Sequence, residues 1–147
     1  MRPPLIALLL LCACAEVDNP SPTVVLPDDY RTTFVQVRTC RNSVEHGLVN
    51  VVVRVRAEQK DLYEGGPYPF PQGSLVVKEE YRDSGCSDLA GYTVMRKEAS
   101  GYFAEGGDWQ WFGLDTAGTV LKSGKQPTCS HCHAACKPSR DFMCAQP

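Results

Sequence analysis

Residues 48–56 read LVNVVVRVR, and the later half, Val53-Arg54-Val55-Arg56, alternates apolar and charged side chains. β-branched residues fit a pleated strand better than a helix, and a period of two puts every second side chain on one face. The stretch predicts a strand with one buried face, and the fold is read outward from it. Downstream, Ala57–Glu64 is rich in helix formers and predicts a short helix of about two turns. Gly65, Gly66, Pro67, Pro69, Pro71 and Gly73 then make a loop. Ser74–Tyr81 predicts the next strand, with Val76 and Lys78 on one face and Leu75 and Val77 on the other. Tyr92–Lys97 is a further strand and Gly101–Gly107 a turn region. Asp108–Asp115 is an aromatic strand, with Trp109 and Trp111 on one face and Gln110 and Phe112 on the other. Ala117-Gly118 turns the chain into Thr119–Lys122. Upstream, Arg31–Arg38 supports two readings: a short helix capped by Asp28 and Asp29, or a strand from the alternation Val35-Gln36-Val37-Arg38. The fold class is α+β, a small, mainly antiparallel β-sheet with a few short helices and a cysteine-rich C-terminal segment.

The chain has 147 residues, a formal net charge of -2 and a pI of about 5.9. Charges are spread along it, and no basic surface points to nucleic acid. Eight cysteines are a density typical of exported proteins. Arg2, the apolar run Leu5–Leu11 and the small residues that follow make a secretory signal. The run is too short to span a membrane, which takes about 20 apolar residues. Two cleavage sites fit. Ala13-Cys14-Ala15 is an ordinary small-x-small site. Leu11-Cys12-Ala13-Cys14 resembles a lipobox that would leave Cys14 as a lipidated first residue, and it is preferred because it explains the cysteine. The expected organisation is a lipoprotein-type signal peptide over 1–14, a flexible linker over 15–28 broken by Pro20, Pro22 and Pro27, and one domain over 29–147. The expected location is periplasmic, held to the outer membrane by the lipid.

Near the C-terminus stands Cys129-Ser130-His131-Cys132-His133. In a CxxCH motif a helical turn brings two thiols to the two vinyl groups of one porphyrin, and the adjacent histidine lies under the iron. This predicts one covalent haem c, with Cys129 and Cys132 as attachment points and His133 as the metal ligand. Two rival readings fit less well. Zinc held by Cys129, His131, Cys132, His133 and Cys136 lacks the second, separated ligand pair of a structural site. A redox dithiol lacks the βαβ setting. His131 is expected to point away from the haem. Cys40, Cys86, Cys136 and Cys144 remain, and four cysteines allow three pairings. One pairing joins Cys136 to Cys144 under the haem helix and Cys40 to Cys86 across the sheet; spacing does not choose among them.

His46-Gly47, VNVVVRVR, the run Phe70-Pro71-x-Gly73-Ser74-Leu75-Val76-Val77-Lys78-Glu79, Val94-Met95-x-Lys97 and Gly107-Asp108-Trp109 together resemble the cytochrome P-460 family, as does the C-terminal CxxCH. The resemblance covers about Tyr30 to the end. It implies a homodimer. One branch of the family oxidises hydroxylamine to nitrous oxide or nitrite and carries a lysine bonded to a porphyrin meso carbon. A sister branch, the cytochromes c′-beta, lacks that bond and binds nitric oxide. The cross-linking lysine falls on Lys78, with Lys97 as the fallback. The distal carboxylate that accepts protons from the substrate falls on Glu105, or on Ala104 if the register shifts by one. Phe103, Trp109 and Trp111 read as core packing.

Three functions follow. The first is an enzyme that oxidises hydroxylamine at a five-coordinate haem with Lys78 and Glu105 as catalytic residues, delivering electrons to an external acceptor. The second is a nitric-oxide-binding protein without catalysis. The third is a simple electron-transfer cytochrome, for which Met95 and Met143 are the methionines able to supply a second axial ligand.

Overall fold

The valine-rich stretch forms the second strand of a six-stranded sheet. The structure, a computed structural model, describes residues 25–47, 49–136 and 139–144. The expected signal peptide, its Cys14 and residues 15–24 of the expected linker lie outside the described residues, as does Leu48. The elements are α1 (Tyr30–Thr33), β1 (Phe34–Ser43), β2 (Val49–Arg56), α2 (Lys60–Gly65), β3 (Leu75–Tyr81), β4 (Leu89–Lys97), β5 (Trp109–Leu114), β6 (Val120–Gly124) and α3 (Pro127–His133). Single 3-10 turns occur at Val44–His46, Ala57–Gln59, Ala104–Gly106 and Ala134–Cys136. The strands follow chain order across the sheet, and every neighbouring pair is antiparallel.

The ambiguous segment near Arg31 is both things in turn: one helical turn at Tyr30–Thr33, then a strand from Phe34. The alternation read from β3 and β5 holds. Val76, Trp109 and Trp111 belong to one core, together with Val37, Val53, Val55, Tyr63, Phe70, Met95, Phe142 and Met143. Leu75, Val77 and Phe112 belong to a second core on the opposite face, with Val25, Tyr30, Phe34, Tyr92, Val94 and Leu114. The expectation of a single buried face on β2 is therefore corrected. Val51, Val52, Val53 and Val55 are all buried, and Arg54 is half-buried in an ion pair with Glu79. The end of the expected linker is corrected too. Val25 is buried and Leu26 packs beside it; too few to build a core, they add area to one that α1 and the sheet already form.

Both disulfides match the pairing considered above: Cys40–Cys86 and Cys136–Cys144. Cys40 lies on β1 and Cys86 in the loop between β3 and β4, so the first bridge ties a sheet edge to a loop. The second closes the C-terminal segment onto the end of α3.

That segment is pinned from below. Asp141 accepts hydrogen bonds from Lys97 Nζ at 2.8 Å to both carboxylate oxygens and from the Phe70 backbone N–H at 2.8 Å. The Trp109 indole donates to the Asp141 carbonyl at 2.9 Å. Asp141 and Phe142 take left-handed backbone angles, φ 49° and 70°. Such angles are uncommon for residues other than glycine and persist where surrounding contacts fix them.

Candidate haem-binding cavity

The first core leaves a cavity of about 540 Å³ between the sheet and α3. Its sheet wall is built by cross-strand rows. Val53, Lys78 and Thr93 stand opposite one another on β2, β3 and β4, and Val76, Met95 and Trp111 form the next row. Arg41, His46, Tyr63 and Lys122 line its margins. From the other side α3 and the C-terminal segment contribute Cys129, Cys132, His133, Met143 and Cys144. Pro127 begins α3, where a missing N–H costs nothing, and Cys129 and Cys132 lie one turn apart on it. Both are free thiols, Cys129 half-buried and Cys132 exposed. Burial pushes the Cys129 thiol up, while the nearby Lys122 and Lys78 charges pull it down in part.

His133 is oriented by the C-terminal segment. Its Nδ1 lies 2.7 Å from the Phe142 carbonyl. A carbonyl only accepts, so Nδ1 carries the proton and Nε2 is left with its lone pair. Burial drives the imidazole down to about 4, against the pull of the Phe142 carbonyl, and the Lys78 and His46 charges lower it further. The ring is therefore neutral at ordinary pH, as a metal ligand must be. The Trp111 ring meets it edge-on with centroids 4.7 Å apart. A histidine ligand oriented by a carbonyl through its other nitrogen is the usual supporting arrangement at a metal.

Of the residues singled out from sequence, the fold brings Lys78, Cys129, Cys132 and His133 to one cavity. Glu105 is not brought there. It is exposed on the 3-10 turn Ala104–Gly106 beside an equally exposed Ala104, and neither lines the cavity. Lys97 is no candidate for a bond to the porphyrin: its ammonium is committed to Asp141 and to the Gly107 carbonyl at 2.7 Å. The zinc alternative loses Cys136 to its disulfide with Cys144, and His131 is exposed. Met95 and Met143 both line the cavity, Met95 from the sheet and Met143 from beside Phe142.

Sequence reading missed His46 and Glu80. Lys78 Nζ lies 2.8 Å from His46 Nε2, and His46 Nδ1 lies 3.5 Å from Glu80 Oε1. The Thr93 hydroxyl donates to the same Glu80 oxygen. Burial alone would raise the Glu80 carboxyl, but hydrogen bonds from His46 and Thr93 outweigh it and hold it below the usual range. The period of two was the available signal, since it places Glu80 on the face of Lys78.

The donor set fits haem c. Two unpaired thiols stand at CxxC spacing, a neutral imidazole offers Nε2, and the volume is within the roughly 300–1,000 Å³ of small-molecule and cofactor sites. A second depression, about 660 Å³, lies over the other core and is lined by Val25–Asp28 and the 116–120 turn, away from these groups. No characterised relative matches the chain. The family model for cytochrome P460 matches residues 27–144, most of the chain, which therefore belongs to the cytochrome P460 family of haem c cytochromes.

Proposed function

We propose that the protein is an exported mono-haem cytochrome that oxidises hydroxylamine to nitrous oxide or nitrite and passes the electrons to an external acceptor. The observation that carries this reading is the single cavity where Lys78 faces Cys129, Cys132 and His133, whose Nε2 is left available by the Phe142 carbonyl. Cys129 and Cys132 would hold the group through thioether bonds, and His133 would ligate its iron. When bound, haem c would supply an iron able to take a small nitrogen-oxide molecule and exchange electrons. Lys78 would reach the group from the sheet, and a bond from its Nζ to a meso carbon would replace one N–H and one C–H, with two protons and two electrons passing to an external oxidant such as a peroxide; that bond would tune the group's electronic character. The aliphatic wall of Val51, Val53 and Val76 excludes water from the reacting molecule. Oxidation to nitrous oxide releases two protons and two electrons per hydroxylamine, so the site needs a base within hydrogen-bond reach. Two disulfides support passage through an oxidising compartment, and with it an export signal at the N-terminus.

The apolar wall also favours a second reading, a nitric-oxide-binding protein without turnover. One preparation separates these. The chain is expressed with a cytochrome maturation system, and its mass and reduced absorption spectrum are recorded. A mass increased by one haem and a strongly red-shifted Soret band, lost in Lys78→Ala, support the enzyme reading. An ordinary five-coordinate ferrous spectrum, unchanged in Lys78→Ala, supports nitric oxide binding. A sharp six-coordinate spectrum returns the protein to electron transfer. A colourless product with the mass of its amino acids overturns all three.

A further inference from the structure

A nucleophile and a base on the cavity wall, Lys78 and His46, are followed by an orienting carboxylate behind them, Glu80. Lys78 Nζ stands 2.8 Å from His46 Nε2, and the other face of the ring stands 3.5 Å from the Glu80 carboxylate. Lys78 and Glu80 share a face of β3, while His46 arrives from the 3-10 turn after β1. A carboxylate against Nδ1 keeps the proton there, so Nε2 presents a lone pair to the lysine. Nucleophiles weak in their protonated form are activated by an adjacent base that a third group orients.

We propose that His46, oriented by Glu80, is the base that takes a proton from Lys78 and delivers its Nζ to the cavity as a neutral amine. This rests on the reading that the cavity holds haem and that Lys78 bonds to it; that bond would replace one N–H and one meso C–H, send two electrons to an external oxidant such as a peroxide, and draw on a lone pair that an ammonium lacks. The step moves one proton. An Nζ–H bond breaks, the electron pair stays on nitrogen, the proton bonds to His46 Nε2, and no electron changes hands. The new imidazolium lies against the Glu80 carboxylate, and the neutral amine remains beside Val53 and Val76. A filled cavity leaves the ammonium no water, and lost water disfavours its charge. The other titratable groups on the cavity are Arg41 of β1, Tyr63 of α2, Lys122 of β6, and Cys129, Cys132 and His133 of α3. Arg41 and Lys122 are cations that oppose a charge on either partner; Glu80 attracts a charge on both, but it hydrogen-bonds His46 and so favours the proton there more.

The test uses holoprotein matured in the periplasm of cells grown at pH 6.5, 7.5 and 8.5, with the haem-linked fraction of the Lys78 peptide measured by mass spectrometry. The wild-type chain is expected to be linked at all three. His46→Gln keeps a hydrogen-bonding side chain on a partly exposed turn; its linked fraction is expected to be small at pH 6.5. It then rises about tenfold per pH unit, as the free-amine fraction of an unassisted lysine does. Glu80→Gln falls between the two. Equal linkage in His46→Gln and wild type at pH 6.5 overturns the assignment of the base and leaves the haem site standing. A haem-bearing wild type with no Lys78 linkage at any pH overturns both this inference and the lysine bond on which it rests.

Discussion

Replacing Asp141 by alanine tests how the fold holds His133, the proposed iron ligand. Asp141 lies nearly buried beneath the C-terminal segment, with the Lys97 ammonium 2.8 Å from each of its oxygens and the Phe70 N–H on one of them. Removing one member of a buried ion pair costs about 3–5 kcal/mol, because the other charge is left unmatched. The abandoned Phe70 N–H adds about 1–3 kcal/mol. Lys97 keeps two consolations, the Gly107 carbonyl and the face of Trp109 at 4.9 Å, which offset part of this. The net expectation is a loss of about 4 kcal/mol, within the roughly 5–15 kcal/mol that keeps a domain folded. With a urea slope of roughly 1.5 kcal/mol/M, the denaturation midpoint of the holoprotein falls by about 2–3 M. The variant also releases the Phe142 carbonyl from its anchored neighbour, so the reduced spectrum broadens as His133 loses its fixed orientation. Lys97→Met combined with Asp141→Ala removes the stranded charge and recovers part of the loss. A fall below about 1 kcal/mol in the single variant, or a double variant no more stable than it, refutes the reasoning.

Three further outcomes are expected. Cys40→Ser with Cys86→Ser opens a loop whose ends are 46 residues apart, and the chain-entropy relation puts the loss at about 4 kcal/mol; urea titration measures it, and the haem spectrum stays unchanged because neither cysteine lines the cavity. Gly107→Ala places a methyl group 2.6 Å from the Phe142 ring at a φ of +65°. The cost is roughly 2–4 kcal/mol, and a displaced Phe142 shows as a changed spectrum, whereas a change confined to stability would mean that the ring yields without moving its carbonyl. Glu105→Ala alters hydroxylamine turnover by less than about twofold, as for an exposed side chain outside the site; a loss of tenfold or more would restore Glu105 as the distal base.

Much of this was legible because periodicity is a local property. The valines of β2, the alternation of β3 and the two tryptophans of β5 each declare a strand and its faces from adjacent residues alone. The thiols and imidazole of CxxCH are equally local, since one turn of α3 brings them together. What was not legible depends on partners far along the chain. Whether β2 is covered on one face or two is decided by α1 and Val25, which no pattern inside β2 reports. Lys97 and Lys78 look alike in sequence, each a lysine in a valine-bearing strand, until Asp141, 44 residues from Lys97, claims one of them. Glu105 sits in a glycine-rich turn whose side-chain direction is set by its backbone path and not by hydropathy. His46 meets Lys78 only because the β1–β2 connection folds back over the sheet.

The position of Lys78 is enforced from the face it does not occupy. In a strand a slip of one residue would exchange the whole set of side chains between faces. Glu79 prevents that exchange on β3. It is completely buried on the side of the second core, where it accepts hydrogen bonds from Tyr30, from Arg54 at 3.1 Å and from Tyr81 at 3.0 Å. A carboxylate moved from these donors to the aliphatic wall of the cavity would lose all of them at once, and an unpaired buried charge is among the costliest defects a fold can carry. The consecutive residues Lys78, Glu79 and Glu80 thus read as amine to the cavity, anchor to the opposite core, and carboxylate to His46 on the face of Lys78. Precise placement of a reactive amine needs a rigid element with its neighbours locked. Here the lock is the middle residue, and the pairing of Lys78 and Glu80 with His46 follows from it.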